Sequence, residues 1–261
     1  MVCNITEIIV DSEQRREHIN HLLRVEGLSK DNLKVYINNY REILESDAEK
    51  NREMIVFLDN VAKNLEETGF LELSDCCYSA LALSGVKEDE RDSLLEDHYM
   101  IKEAVVSAGL RNYDPSEVPF NPQHQLIGAP QDIFDTDLLM VAASRFFTFT
   151  NLAASSGSGI EERSANIYVK MPLIFMKKGN YVSRMTTGAR RVVLVEYDNL
   201  ATQKGEVIDV ISRMREFTPG VGTCTEHGNT LVGFRNGQSV CLPGLIEKEH
   251  PNLRYDFNQY T

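Results

Sequence analysis

"RFFTFTNLAASSGSGIEERSANIYVKMPLIFMKK", Arg145 to Lys178, holds an apolar aromatic run, a Gly/Ser-rich break, a polar segment and a second apolar run. A short apolar run rich in aromatic and β-branched residues, ended by turn residues, predicts a buried strand. The polar segment "EERSANIYVK" predicts a helix, so the stretch is strand, helix, strand, the unit that joins two parallel strands by a crossover.

Working outward, the same alternation continues in both directions. Upstream, "YSALALSG" (78–85) is a first strand and "SLLEDHYMIKEAVVSAG" (93–109) its helix. "LRNYDP" (110–115) is a second strand, and "QDIFDTDLLMVAAS" (131–144) is the helix that feeds "RFFTFTN", the third. Downstream, "MPLIFMKK" is the fourth strand, "RRVVLVEYDN" the fifth and "GEVIDVISRMREF" a helix. "TLVGFRNGQSVCLPG" (230–244) predicts a hairpin turning at Asn236-Gly237. The expected fold class is α/β, a Rossmann-like parallel sheet of about five strands with crossover helices.

Residues 1–74 read differently. Leu33, Ile37, Tyr40 and Leu44 recur at helical spacing, as do Met54, Leu58, Val61 and Leu65, with Gly69 as a stop. The expected organisation is an all-α N-terminal segment over 1–74 and an α/β domain with a C-terminal hairpin over 75–261. Nine Lys or Arg against fifteen Asp or Glu in that segment speak against a DNA-reading helix pair and favour a packing or oligomerisation arm.

The chain has 261 residues and a formal net charge of −12, which argues against a nucleic-acid partner. Five cysteines without a Cys-x-x-Cys pair fit reduced thiols and a cytoplasmic setting. No run is long and apolar enough for a membrane span, so no membrane partner is expected.

Two stretches share a Gly-x-Gly…Glu outline, "SSGSGIEERSA" (155–165) and "PGVGTCTEHG" (219–228). Ligands of parallel sheets bind beyond the carboxyl ends of the strands, where helices begin. The first stretch follows a strand directly. Gly157 and Gly159 there permit tight backbone angles, and a helix start would hold Glu161 ionised. A purely structural reading remains open, because a glutamate in a first helical turn is stabilising by itself. Glu226 of the second stretch has no strand leading into it. Glu162 reads as a solvated charge, His98 as a packing or surface residue, Cys76 and Cys77 as core. The pair His18 and His21 lacks a third metal ligand, and no metal site is expected. Arg184, Arg190 and Arg191 are either a solvated cluster or a phosphate contact.

These residues resemble the nucleoside 2-deoxyribosyltransferases and their nucleotide N-glycosidase relatives. The resemblance runs over roughly residues 78–200 and rests on Gly157-Ser158-Gly159-Ile160-Glu161, Ala165, "KMPLIFM" and "NYVSRMTTGARR", with a looser likeness in the tail "LRYDFNQYT". It implies a flavodoxin-like sheet and a small nucleoside or nucleotide substrate, with no metal or organic cofactor. It also implies cleavage or transfer of an N-glycosidic bond through Glu161 as nucleophile. Asp137, or failing it Asp135, matches the second acid. Ser155, Gly157, Ser158, Gly159, Asp114, Ser183 and Arg184 are the implied substrate contacts, and a homo-oligomer is implied because family sites are often completed by a neighbouring chain. Ser155 stands where many members carry an aspartate, which puts base exchange in doubt. Tyr78 starts the expected first strand and is given no role. The alternatives are a non-catalytic nucleotide-binding sensor with a helical interaction arm, and an NAD-cleaving effector.

Overall fold

The computed structural model describes residues 5–9, 12–25, 30–49, 51–82, 91–115, 130–150, 156–168, 170–180, 186, 189, 192–236 and 238–254. The chain order is β1 (Ile5–Ile9), α1 (Ser12–Val25), α2 (Lys30–Glu45), α3 (Arg52–Thr68), β2 (Leu73–Leu81), α4 (Arg91–Ser107), β3 (Arg111–Tyr113), α5 (Pro130–Ala143), β4 (Ser144–Thr150), α6 (Ser156–Ile167), β5 (Met171–Lys177) and β6 (Val193–Tyr197). After these come α7 (Leu200–Arg215), β7 (Thr218–Cys224), β8 (Gly228–Arg235), β9 (Gln238–Cys241), α8 (Leu242–Glu249) and a 3₁₀ turn (Pro251–Leu253).

Five strands make one all-parallel sheet in the order β3-β2-β4-β5-β6. This is the flavodoxin-like order, and the winding reverses between β2 and β4, the position beyond whose carboxyl ends ligands of such sheets bind. Side chains alternate across the sheet, and each strand therefore feeds two cores. Tyr78, Phe147, Ile174 and Leu194 face a layer made by α1, α2, α3, α5 and α6. Cys77, Phe146, Leu173 and Val193 face α4, α7 and α8.

The helical reading of the N-terminal segment holds for α1, α2 and α3. Leu33, Ile37, Tyr40, Leu44, Leu58, Val61 and Leu65 are all buried, and Gly69 ends α3 in the left-handed conformation at φ 77°. Those helices share a continuous core with the parallel sheet. Phe57 of α3 lies 6.0 Å from Tyr113 of β3, ring centre to ring centre. The segment expected to be wholly helical also contributes a strand: β1 pairs antiparallel with β7, Ile5 opposite Cys224. Its sequence, Ile-Thr-Glu-Ile-Ile, is rich in β-branched residues, which favour the pleated state over a short helix.

The second sheet is antiparallel, in the order β1-β7-β8-β9. The expected hairpin is present, with Arg235 paired to Gln238 across a two-residue turn and Asn236 at φ 51°. Gly233 is required by contact: a Cβ there would lie 2.7 Å from Phe217 Cγ. Among the described residues no helix is long and apolar enough to cross a membrane.

Candidate active site

β2 sets the first component. It begins five residues earlier than expected, at Leu73, so Tyr78 lies well inside the strand and the correction matters. Tyr78 is opposite Tyr113 on β3 and Phe147 on β4. The three rings form a ladder across the reversal point, with centroids 5.3 Å and 5.7 Å apart. Tyr78 is fully buried.

The second component is a pair of carboxyls whose protonation is linked to the Tyr78 hydroxyl. Glu161 comes from α6, which leaves β4, and Asp137 from α5, which leads into it. Both are part-buried at the level of the whole residue. Burial pushes the Asp137 carboxyl up to about 7, opposed by the Tyr78 hydroxyl. Burial is also the main cause that raises Glu161, to about 8, with the charge of Asp137 next and that of Asp114 adding to it. The two titrate as a coupled unit, each held toward its protonated form. The Tyr78 hydroxyl has no hydrogen bond of ordinary geometry among the described residues; burial raises its pKa first, and the charges of Asp137 and Glu161 add to that.

Two sequence expectations change here. α6 starts at Ser156, so Gly157 and Gly159 are helical, not turn residues, and Glu161 sits in the second turn. The helix N-terminus therefore does not hold Glu161 ionised; burial and Asp137 favour its protonated form. Glu162 is buried, not solvated, and accepts a hydrogen bond from Thr186 Oγ1 at 3.0 Å. Successive helical residues point about 100° apart, which sends the two glutamates to different neighbours. Gly159 is exposed, and a Cβ there would meet nothing within 4 Å. Gly159→Ala should stabilise α6 by up to about 1 kcal/mol, read as a raised melting temperature in thermal unfolding.

A polar network lies on the α4 side of the same strand ends. Ser79 meets Thr148 at 2.9 Å and Asn112 Oδ1 at 2.5 Å. His98, expected to be a packing or surface residue, is fully buried, with Nδ1 3.0 Å from Thr150 Oγ1 and Nε2 3.0 Å from Asp114 Oδ2. Lys102 Nζ lies 2.9 Å from the same Asp114 oxygen. Asp114, an expected substrate contact, is thus gripped from α4 while its charge reaches Glu161.

Of the other expected residues, Asp135 lies two positions before Asp137 on α5, about 200° around the helix and so on nearly its opposite side, and Ser158 is buried in the first turn of α6. Ser155, Ser183, Arg184, Arg190 and Arg191 lie outside the described residues. A cavity of about 450 Å³ opens beside β6 and α7, between Lys178, Asp198 and Arg254, and none of the expected site residues is among those that line it. Sequence reasoning missed Tyr78 and His98. The signal available for Tyr78 was a lone hydroxyl-bearing ring flanked by small and apolar residues in a strand bound for the centre of the sheet.

The fold is a flavodoxin-like α/β sheet, and the helices on either side of β4 carry a coupled carboxyl pair, Asp137 and Glu161. No family model matches the chain, and no curated protein matches it. Among solved structures it is similar to the Clostridium botulinum CMP N-glycosidase BcmB, at 14% identity over 51% of this chain and 97% of that one, with a TM-score of 0.35. A likeness that distant assigns no activity.

Proposed function

We propose that this protein cleaves or transfers the N-glycosidic bond of a nucleoside or nucleotide. The observation that supports the reading is the pair Glu161 and Asp137, two carboxyls on the helices flanking β4 whose protonation is coupled and raised chiefly by burial, with Tyr78 of β2 acting on both. Breaking a C–N glycosidic bond needs two opposite services at one place: a carboxylate to meet the electron-poor anomeric carbon, and an acid to protonate the departing base. A pair with one proton supplies both at neutral pH. Glu161, on the motif that resembles the deoxyribosyltransferases, is the nucleophile, and Asp137 is the acid or the group that holds the sugar; in the free protein the proton favours Glu161, so the reaction requires it to pass to Asp137 when substrate binds.

The test is to incubate the protein with nucleosides, their 5′-monophosphates and NAD, and to follow free base by chromatography. Release of base from at least one supports the reading, and release from none rejects it.

Tyr78 is a positioning residue in this scheme, since its hydroxyl lowers the pKa of both carboxyls. Tyr78→Phe should therefore shift the acidic limb of the pH–rate profile upward, by up to about one pH unit. An unchanged limb would remove Tyr78 from the site.

A further inference from the structure

The stretch around Cys224, ranked below the first as an acid site, carries a different chemistry. β7 ends at Cys224, the turn 225–227 carries His227, and β9 ends at Cys241 where α8 begins. The strand pairing β7-β8-β9 folds these three points onto one corner of the small sheet. His227 Nδ1 is 3.4 Å from Cys224 Sγ and 3.4 Å from Cys241 Sγ. All three donor atoms lie within 4.8 Å of one another. Both cysteines are buried.

We propose that Cys224, His227 and Cys241 form a zinc site that pins the small antiparallel sheet. With Zn–S near 2.3 Å and Zn–N near 2.05 Å, tetrahedral angles place S and N about 3.6 Å apart. The observed N–S distances of 3.4 Å lie close to that spacing. Two sulfurs converge on the single lone pair of the imidazole Nδ1, an arrangement that one shared ion would bridge.

The surroundings of the ligands fit the same chemistry. His227 Nε2 is 3.2 Å from Glu247 Oε2 on α8, so the carboxylate holds the ring with its proton on Nε2 and leaves Nδ1 to coordinate. The backbone N–H of Glu226 points at Cys224 Sγ, 3.4 Å away, as a donor that stabilises a thiolate. Two soft sulfurs and one imidazole select zinc over magnesium or calcium. Binding displaces the two thiol protons to solvent and leaves one position for a fourth ligand. The ion would tie the β7–β8 turn to the β9–α8 junction, and, through the pairing of Ile5 with Cys224, would anchor the strand contributed by the N-terminal segment.

The experiment is metal analysis of untagged protein purified without chelator. One zinc per chain is expected, retained in Glu161→Gln and lost in Cys224→Ser and His227→Gln. Should those variants fail to fold, wild-type protein is stripped with a chelator and titrated with Co²⁺. A thiolate-to-cobalt charge-transfer band that saturates at one equivalent and is abolished by Zn²⁺ is expected, and the stripped protein should melt at lower temperature. Substoichiometric zinc with no charge-transfer band overturns the site, as does full zinc content in a folded Cys224→Ser variant.

Discussion

Glu161→Gln will remove base release, by about a thousand-fold or more, while the protein stays folded. Glutamine keeps the shape and loses the charge, so it cannot attack or stabilise an electron-poor anomeric carbon. The stability side of the same substitution has a definite sign. In the unfolded chain these carboxyls titrate near 4.5 and 3.8; in the folded chain burial, and for Glu161 also the neighbouring carboxylate, raises both. Between those limits the folded state binds more protons than the unfolded one, so stability falls as pH rises. Wild-type protein should lose melting temperature from about pH 4.5 up to about pH 8 and then level off. Glu161→Gln should flatten that decline, matching wild type at pH 5 and exceeding it at pH 9. Melting curves across the range check this, and a wild-type curve that rises over the window would show that the two carboxyls are not forced together. Base release undiminished in the variant would reject Glu161 as nucleophile even with the pH profile as expected.

The parallel sheet was legible in the sequence because its strands are buried on both faces, and runs such as "RFFTFT" and "MPLIFM" are apolar throughout. Strand order was not in the periodicity; it follows from crossovers that no local pattern encodes. β1 was hidden for a related reason. Five residues carry little signal, and their partner β7 lies more than two hundred residues away. At the site, the convergence of Glu161 with an aspartate of α5 came through the family resemblance, but its electrostatics did not. A glutamate near two glycines looks like a helix start, whereas α6 begins at Ser156 and turns Glu161 inward. Tyr78 was set aside because its strand was started at the wrong residue: "LSDC" before it is polar enough to pass for a loop, yet Cys76 and Cys77 pair with β3.

Lys170→Met should cost about 3–5 kcal/mol of folding free energy, a large fraction of the stability of a domain. Lys170 is fully buried immediately before β5, and its Nζ meets Glu72 Oε2 at 2.8 Å and the Ala142 carbonyl at 2.6 Å. Glu72 stands just ahead of β2 and Ala142 just ahead of β4, so one ammonium group joins the amino ends of the three central strands. Methionine fills much of the same volume but leaves the Glu72 carboxylate buried without its cation, and that is the costly state. The loss should shrink at low pH, where Glu72 can take up a proton. Adding Glu72→Leu to Lys170→Met should restore most of the stability, because removing both charges of a buried pair is close to neutral. Activity below the melting transition should hold in either variant, since neither Lys170 nor Glu72 is among the groups that act on the Glu161 or Asp137 carboxyl. Urea unfolding of the two variants measures these differences. A single-variant loss under about 1 kcal/mol would mean that water reaches Glu72 and that the clamp is not sealed.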